Sequence, residues 1–321
     1  MEYSEIFDFA YDLAEKVCDN STLELANLDL QASKIILEAS AKRWVSTSDL
    51  NEKKNSVDLV TETDELVERM IKSAVAEKYP HHKFIGEESF AAGDRPPLTD
   101  EFTWIVDPID GTMNPFVACS IGVAHMKRPV VGVIALPFLN QIFSARLGGG
   151  AYMNRNIPLP LTGGIPQPLS DLSRCMIGAE WGSDRGLSTF KHKTSSFAKL
   201  AGDPNKGVDG GVMAHALRTT GSTACNAVAV AAGQLDIYWD AGCYPWDVCA
   251  AAIILNETGG FFAGGKDSLD APVDRVMMGR RYIFVRAVPA TESESPSQIQ
   301  HRLARELYDV VDEWTNEDMM D

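Results

Sequence analysis

The chain has 321 residues, of which 45% are hydrophobic and 23% charged, and its formal net charge is -16. This length and balance are typical of a soluble globular protein with one large α/β domain or two smaller ones. The excess of acidic residues argues against nucleic acid as a partner, because no basic face is evident to neutralise a phosphate backbone. No secretory signal or membrane-length apolar stretch is evident and the six cysteines are scattered, so we expect a cytoplasmic protein without a membrane partner.

The first half of the chain is predicted to begin with helices and to continue with strands. Apolar residues recur at helical spacing over 4–18 and 29–45, and again from Thr61, which is spaced with Asp64 as a capping box. Apolar and β-branched runs then predict strands at 83–85, 102–106, 116–123, 130–136 and 141–146. The triple glycine at 148–150 lacks the ending of a phosphate loop, so it predicts a hairpin or bulge turn.

Residues 155–171 are rich in Pro and Gly and are predicted to link two halves of the chain. Beyond them strand and helix patterns alternate. We predict strands at 175–179, 235–239 and 282–286, and helices within 184–212 and at 222–233, 246–257 and 299–314. A short acidic tail, 315–321, follows the last helix.

Two carboxylates and a bend-forming glycine follow the strand predicted at 102–106, in the segment Asp107-Pro108-Ile109-Asp110-Gly111-Thr112. Carboxylates held close together repel each other unless a cation lies between them. Hard oxygen ligands suit Mg²⁺, which usually binds through a few carboxylates together with substrate phosphate. The alternative is a solvated Asp-Pro turn, and the hexapeptide alone leaves both interpretations open.

Three further acidic residues occupy comparable positions. Glu87 follows a predicted strand and a glycine, so it projects from a strand end, whereas Asp64 and Asp247 lie in the first turns of predicted helices. The helix macrodipole favours an acidic residue in a first turn in any case, so neither helix residue is informative alone. Considered as a set with Asp107 and Asp110, these acids predict a metal site.

Four separated motifs resemble those of the inositol monophosphatase family. Residues 104–112 are similar to the first family signature and residues 246–260 to the second, while 58–64 and 84–89 are similar to two acidic motifs that precede them. The resemblance spans about residues 5–314. Residues 180–183 and 279–282 are similar to fungal members, including those encoded with quinate-utilisation genes.

The resemblance implies an α/β fold, the layered αβαβα sandwich of the inositol monophosphatase and fructose-1,6-bisphosphatase type. A single family domain would cover 5–314. Its N-terminal half, 5–155, would contain a large antiparallel sheet, and its C-terminal half, 172–314, a smaller mixed sheet, with the metal site between them. Family members are generally homodimers, so the resemblance also implies a homodimer.

The resemblance further implies a set of metal ligands for two or three Mg²⁺ ions. Glu87, Asp107 and the backbone carbonyl of Ile109 would hold the first ion. Asp107, Asp110 and Asp247 would hold the second, and Glu87 would help to hold a weaker third. The metal ions would also attract an anionic substrate to this acidic protein.

Catalytic and substrate-binding roles follow from the same resemblance. Asp64 and Thr112 would orient and deprotonate the attacking water, with Glu87 completing the catalytic set. The backbone N–H groups of Gly111 and Thr112 would receive the phosphate at a helix start. Further substrate contacts are implied for three residues: Asp240, Thr223 and Lys53.

The implied activity is Mg²⁺-dependent, Li⁺-sensitive hydrolysis of inositol monophosphate, a small phosphorylated polyol, to inositol and phosphate by metal-activated water. Two departures from the family pattern bear on it. The turn that contains Met113-Asn114-Pro115 is several residues shorter than usual, and Asp240 stands where a longer Glu is common. Two alternatives therefore stay open: a phosphatase for a nucleotide 3′-phosphate, a sugar phosphate or a quinate-pathway compound, and a catalytically impaired regulatory homologue.

Overall fold

The computed structural model describes residues 2–18, 51–52, 59–60, 62–112 and 117–313. The helix predicted over 29–45, the residues Lys53 and Thr61, the turn 113–115 and the tail 315–321 lie outside these ranges. The α-helices of the described residues are α1 (Glu2–Cys18), α2 (Glu62–Lys78), α3 (Glu87–Ala91), α4 (Leu187–Ala201), α5 (Thr223–Ala231), α6 (Pro245–Glu257), α7 (Val273–Met277) and α8 (Pro296–Val310).

The β-strands form a two-stranded ribbon and two larger sheets. The ribbon pairs β1 (Asn51–Glu52) with β2 (Leu59–Val60). The large sheet contains β3 (Lys83–Gly86), β4 (Thr103–Asp110), β5 (Ala118–His125), β6 (Arg128–Leu136), β7 (Gln141–Arg146), β8 (Ala151–Met153) and β9 (Ile157–Pro158). The small sheet contains β10 (Met176–Ala179), β11 (Ala216–Arg218), β12 (Ile237–Ala241), β13 (Phe261–Ala263) and β14 (Arg281–Val285).

The two larger sheets differ in how their strands are connected. In the seven-stranded sheet the strands follow chain order, and only β3 runs parallel to its neighbour β4. The five-stranded sheet has the order β11-β10-β12-β14-β13 and is mixed, with β10 parallel to both β11 and β12. An antiparallel meander needs only short turns, whereas the parallel pairs of the small sheet are joined through helices.

Three apolar clusters separate five layers of structure. Helices α1 and α2 cover one face of the large sheet, and α5 and α6 fill the space between the two sheets. Helices α4 and α8 cover the outer face of the small sheet. Strand β4 contributes side chains to the layers on both of its faces. Trp104 and Val106 point to the α1 side and Ile105 to the α6 side, because side chains alternate along a strand with a period of two. The predicted αβαβα sandwich is therefore confirmed.

Helix α6 lies directly on the backbone of the large sheet. Where it crosses β5, a Cβ atom added to Gly122 would come within 2.6 Å of Cys249 Sγ. On β6, a Cβ atom at Gly132 would collide with the carbonyl oxygen of Ala250. Glycine at both positions permits this close approach of helix and strands.

Most predicted elements are present, but one strand is longer than its sequence pattern indicates. The apolar run predicts a strand at 102–106, and β4 extends beyond it through Asp107 to Asp110 and remains paired with β5. The glycines at 148–150 lie in the turn between β7 and β8, as predicted. Within the described residues, every helix is too short or too polar to cross a lipid bilayer.

Candidate metal centre and active site

An irregularity in β4 brings two carboxylates to the same side of the strand. Asp107 pairs with Ser120 of β5, whereas Asp110, three residues later, pairs with Ala118, only two residues earlier in the partner. In a regular strand, residues three apart face opposite sides of the sheet. The extra residue of this β-bulge corrects the alternation, so the side chains of Asp107 and Asp110 converge.

A third carboxylate comes from the N-terminus of α6. Asp247 lies in the first helical turn, where its Oδ2 accepts a hydrogen bond of 2.6 Å from the backbone N–H of Tyr244. This bond fixes the side chain across the helix start. Asp107, Asp110 and Asp247 each offer an oxygen atom, and these three atoms lie within 4.8 Å of one another.

The N-terminus of α5 holds Asp110 in place. The hydroxyl of the N-cap residue Ser222 donates to Asp110 Oδ2 at 2.7 Å, and the backbone N–H of Ala224 donates to the same oxygen at 2.6 Å. Both of these hydrogen bonds end on Oδ2, and together they hold the carboxylate in one orientation. Support of a ligand by such neighbours fixes its orientation.

Thr112 connects the loop after β4 to α2. Its Oγ1 lies 2.9 Å from Asp64 Oδ1 and 2.9 Å from the carbonyl oxygen of Ile109. Asp64 is 3% exposed, in the first turn of α2. Gly111, which precedes Thr112 in the turn after β4, has a φ of 77°, a conformation that favours glycine. The turn thus directs the Thr112 hydroxyl at a buried carboxylate.

Glu87 is placed by a buried acidic neighbour on α2. Glu87 is the first residue of the short helix α3. The carboxylate of Glu68 accepts hydrogen bonds from the backbone N–H groups of Glu88 at 2.7 Å and Ser89 at 2.8 Å. A Cβ atom on Gly86 would lie 2.5 Å from Glu68, so glycine is needed for this close approach. These contacts fix the strand end from which Glu87 projects.

The carboxylates of the cluster are strongly perturbed. Burial raises the pKa of Asp107 well above its usual range, and repulsion from Glu87, Asp110 and Asp247 raises it further. Burial also raises the pKa of Asp110 to about 7, against the lowering effect of the hydrogen bonds from Ser222 and Ala224. The pKa of Asp247 is raised well above its usual range by burial and by the charges of Asp110 and Glu87. Each carboxylate therefore opposes ionisation of the others.

These residues fit a divalent cation with hard oxygen ligands. The oxygens of Asp107, Asp110 and Asp247 converge within ligand-sharing distance, and the described residues place no Lys or Arg in an ion pair with any of the three. A cation would offset the mutual repulsion that adds to the effect of burial on their pKa values. The donor set, all carboxylate and carbonyl oxygen, suits Mg²⁺ better than a softer metal.

Comparison with known proteins agrees with this geometry. A profile of the inositol monophosphatase family matches residues 19–311. The chain belongs to the inositol monophosphatase family. The resemblance noted from the four sequence motifs is thereby confirmed.

Two relatives and one solved structure illustrate the match. The chain is 36% identical to the quinic acid degradation cluster protein x of Neurospora crassa, covering 96% of this chain and 94% of that protein. It is 40% identical to human inositol monophosphatase 1, covering 72% and 78%. The structure of an IMPase from Thermotoga maritima matches with a TM-score of 0.64 and 22% identity, over 98% and 99%, which shows a common fold.

In this inositol monophosphatase family member, two of the residues predicted to bind substrate lie within the described part of the chain. Thr223 follows Ser222 at the start of α5 and is 8% exposed. Asp240, on β12, is 4% exposed and accepts hydrogen bonds from protein groups, among them Tyr238 Oη at 2.8 Å and Cys243 Sγ at 3.2 Å. Lys53, also predicted to bind substrate, lies outside the described residues. The three roles stay predictions.

Three residues that hold site residues in place were not identified from the sequence. Glu68 follows Asp64 by four residues on α2, so helical spacing places both on one face, and this signal was available. Ser222 shows an N-cap pattern, which explains the hydrogen bond that its Oγ accepts from the backbone N–H of Cys225 at 3.1 Å but not the one it gives to Asp110. Lys193, buried on α4, comes from a segment with no firm periodicity, and no local signal identifies it.

Proposed function

We propose that this protein is a Mg²⁺-dependent phosphomonoesterase that hydrolyses inositol monophosphate to inositol and phosphate. One observation carries the proposal: the buried carboxylate of Asp107 and the half-buried carboxylates of Asp110 and Asp247 converge next to the hydrogen-bonded pair Thr112 and Asp64. Buried like charges cost stability, so their convergence is typical of a functional site. Membership of the inositol monophosphatase family supports the same reaction.

The first Mg²⁺ would be held by Glu87, Asp107 and the carbonyl of Ile109, and the second by Asp107, Asp110 and Asp247. When bound, such ions supply positive charge for the phosphoryl oxygens and lower the pKa of water towards neutrality. The shared ligand, Asp107, is held by a hydrogen bond that its Oδ1 accepts from the backbone N–H of Ile109 at 3.0 Å. The protein thus contributes a preformed set of ligands.

The chain's own groups supply the proton path and the phosphate contacts. Asp64, buried in the first turn of α2, accepts the hydroxyl proton of Thr112, so this hydroxyl oxygen is oriented to accept a proton from an attacking water. The backbone N–H groups of Gly111 and Thr112 would bind the phosphate oxygens. Phosphoryl transfer needs chiefly such positioning and charge stabilisation, and little covalent chemistry from the protein.

A second candidate is a phosphatase that acts on another small monoester. The match to a quinic acid degradation cluster protein, over 96% of this chain, favours a quinate-pathway compound within that class. Nucleotide 3′-phosphates and sugar phosphates are the other members to test. The third reading, an impaired regulatory homologue, has only the short turn near Met113 in its favour, and that turn lies outside the described residues.

The proposal is tested by a panel of phosphate esters assayed with Mg²⁺, with a chelator, and with Mg²⁺ plus Li⁺. We expect release of phosphate from inositol 1-phosphate with Mg²⁺, loss of activity in chelator, and inhibition by Li⁺. Preference for a different ester would select the second candidate. No hydrolysis of any ester, together with no Mg²⁺ binding in the millimolar range by calorimetry, would support the regulatory homologue.

Two further properties belong to the same proposal. We infer from the family resemblance that the protein is a homodimer, and from the sequence that it works in the cytoplasm. Sedimentation equilibrium measures the first, and a monomer across the micromolar range would reject it. Imaging of the tagged full chain in its own cells measures the second.

A further inference from the structure

A buried ion pair lies on the small sheet, next to the proposed active site. The ammonium of Lys193 on α4 is 3.3 Å from Asp240 Oδ1 on β12, and the two side chains are 2% and 5% exposed. The ammonium also donates to the backbone carbonyl of Glu180, at the end of β10. Lys193 therefore joins three elements of the small sheet and its covering helix.

Four protein donors saturate the Asp240 carboxylate. Oδ1 accepts from the Lys193 ammonium and from the backbone N–H of Ala241 at 2.7 Å. Oδ2 accepts from Tyr238 Oη at 2.8 Å and from Cys243 Sγ at 3.2 Å. A carboxylate has about four lone-pair positions, so Asp240 can accept from a substrate hydroxyl only by losing a protein donor.

The same donors fix the direction of the Thr223 hydroxyl. Tyr238 Oη lies 3.1 Å from Thr223 Oγ1, but its single proton goes to the carboxylate, which is the stronger acceptor. The thiol proton of Cys243 also goes to Asp240, so the Thr223 hydroxyl can donate its own proton to Cys243 Sγ, 3.4 Å away. Thr223 thus keeps its lone pairs for another donor.

Thr223 is adjacent to the proposed metal ligands. It lies between Ser222 and Ala224, the two residues that donate to Asp110. Its neighbour Cys243 lies close enough to Asp240 and to Asp247 to be affected by both charges. Burial raises the pKa of the Cys243 thiol, and these two charges raise it further. Thr223 therefore lies within reach of the alcohol part of an ester whose phosphate binds at the carboxylate cluster.

We propose that Lys193 is a positioning residue for substrate recognition: it reserves Asp240 for internal donors, and the Thr223 oxygen then accepts a hydrogen bond from a substrate hydroxyl. This inference rests on the proposed phosphatase function and narrows it to esters of hydroxylated alcohols. Recognition of the alcohol would come from a threonine oxygen, with the carboxylate behind it acting through Tyr238.

The test compares inositol 1-phosphate with phenyl phosphate, whose alcohol part has no further hydroxyl, by measuring kcat and KM for both with Mg²⁺. In Thr223→Val we expect the ratio of the two kcat/KM values, polyol over phenyl, to fall about tenfold, as expected when a site loses one hydrogen bond to its substrate. In Lys193→Met we expect a similar fall, mainly through a higher KM for inositol 1-phosphate. The matched control is Lys191→Met, an exposed lysine on the same helix, which should keep the wild-type ratio.

Lys193→Met leaves a buried carboxylate without its cation and so risks a folding defect. The double variant K193M/D240N removes both charges and is expected to fold while still lowering the ratio. An unchanged ratio in Thr223→Val, or an equal loss for both esters in the Lys193 variants, would overturn the inference. Failure of the wild type to hydrolyse either ester would instead reject the proposed function, so the two failures are distinguishable.

Discussion

Buried carboxylates occur on the large sheet and on the small sheet, and the carboxylates of the two sheets differ in the charges that lie next to them. On the small sheet, Asp240 pairs with Lys193, and Asp236 pairs with Arg286 at 2.6 Å. At the bulge of the large sheet, by contrast, Asp107 and its two neighbours face one another, and no described Lys or Arg forms an ion pair with them.

This difference distinguishes carboxylates with a structural role from carboxylates that are available for binding a ligand. A buried ion pair satisfies its own charge, so it needs nothing from solution. Three facing carboxylates are stable together only when protonated or when bound to a cation. The paired acids therefore belong to the framework of the small sheet, while the unpaired cluster is reserved for a ligand from solution. Each prediction below tests one side of this contrast.

The largest effect is expected for Asp107→Asn. The amide removes the charge shared by both proposed metal sites, so hydrolysis of inositol 1-phosphate should fall more than about 10³-fold, beyond the cost of one lost hydrogen-bond donor in a preorganised site. Phosphate release and calorimetric titration with Mg²⁺ measure this. The control Asp100→Asn alters an exposed acid just before β4 and should behave as wild type. Retained activity in Asp107→Asn would refute the assignment.

On the other side of the contrast, Arg286→Met should destabilise the protein by about 3–5 kcal/mol, because it leaves Asp236 buried without its cation. Urea denaturation with chelator present measures the free energy of unfolding. Arg174→Met breaks an exposed ion pair with Asp171 and should change that free energy by less than about 0.5 kcal/mol. Equal effects of the two variants would show that burial of the pair does not matter.

The smallest effect per step of the variable is a pH dependence of the free energy of unfolding in the absence of metal. Burial raises the pKa of Asp110 from 3.8 to about 7, so between these values the folded state binds more protons than the unfolded state. The free energy of unfolding should then fall as pH rises from about 4 to about 7, by at most about 1.4 kcal/mol per pH unit from this group. The difference between wild type and Asp110→Asn, measured in chelator, isolates it. The free energy of unfolding of wild type minus that of Asp110→Asn should therefore fall as pH rises; a rise in this quantity would contradict the sign, and Mg²⁺ should remove the dependence.

Sequence alone predicts those parts of the molecule that depend on local signals. Strand β7 has its predicted bounds, and α6 begins one residue before its predicted start, at a proline that suits the first helical turn. Alternation of side chains and helix-start residues are properties of a few consecutive residues. They need no knowledge of what packs above or below.

What sequence alone did not predict depends on partners distant in the chain. Strand β4 continues past its apolar run because pairing with β5 resumes after the bulge at Pro108 and Ile109. Asp240 has an acidic side chain like those of the carboxylate cluster. Only the fold shows that Lys193, 47 residues earlier in the chain, lies beside it. The acids of the cluster could be named from their motifs, but the hydrogen bond that Ser222 gives to Asp110 could not.

The crossing of α6 over Gly122 and Gly132 has a consequence for how the site can evolve. Asp247 is carried by this helix, while Asp107 and Asp110 are carried by the sheet on which the helix rests. The separation of the three oxygens is therefore set partly at two positions that have no side chain and touch no ligand. A single methyl group there would lift the helix and widen the cluster, so selection for the proposed metal site would also act on residues with no chemistry of their own.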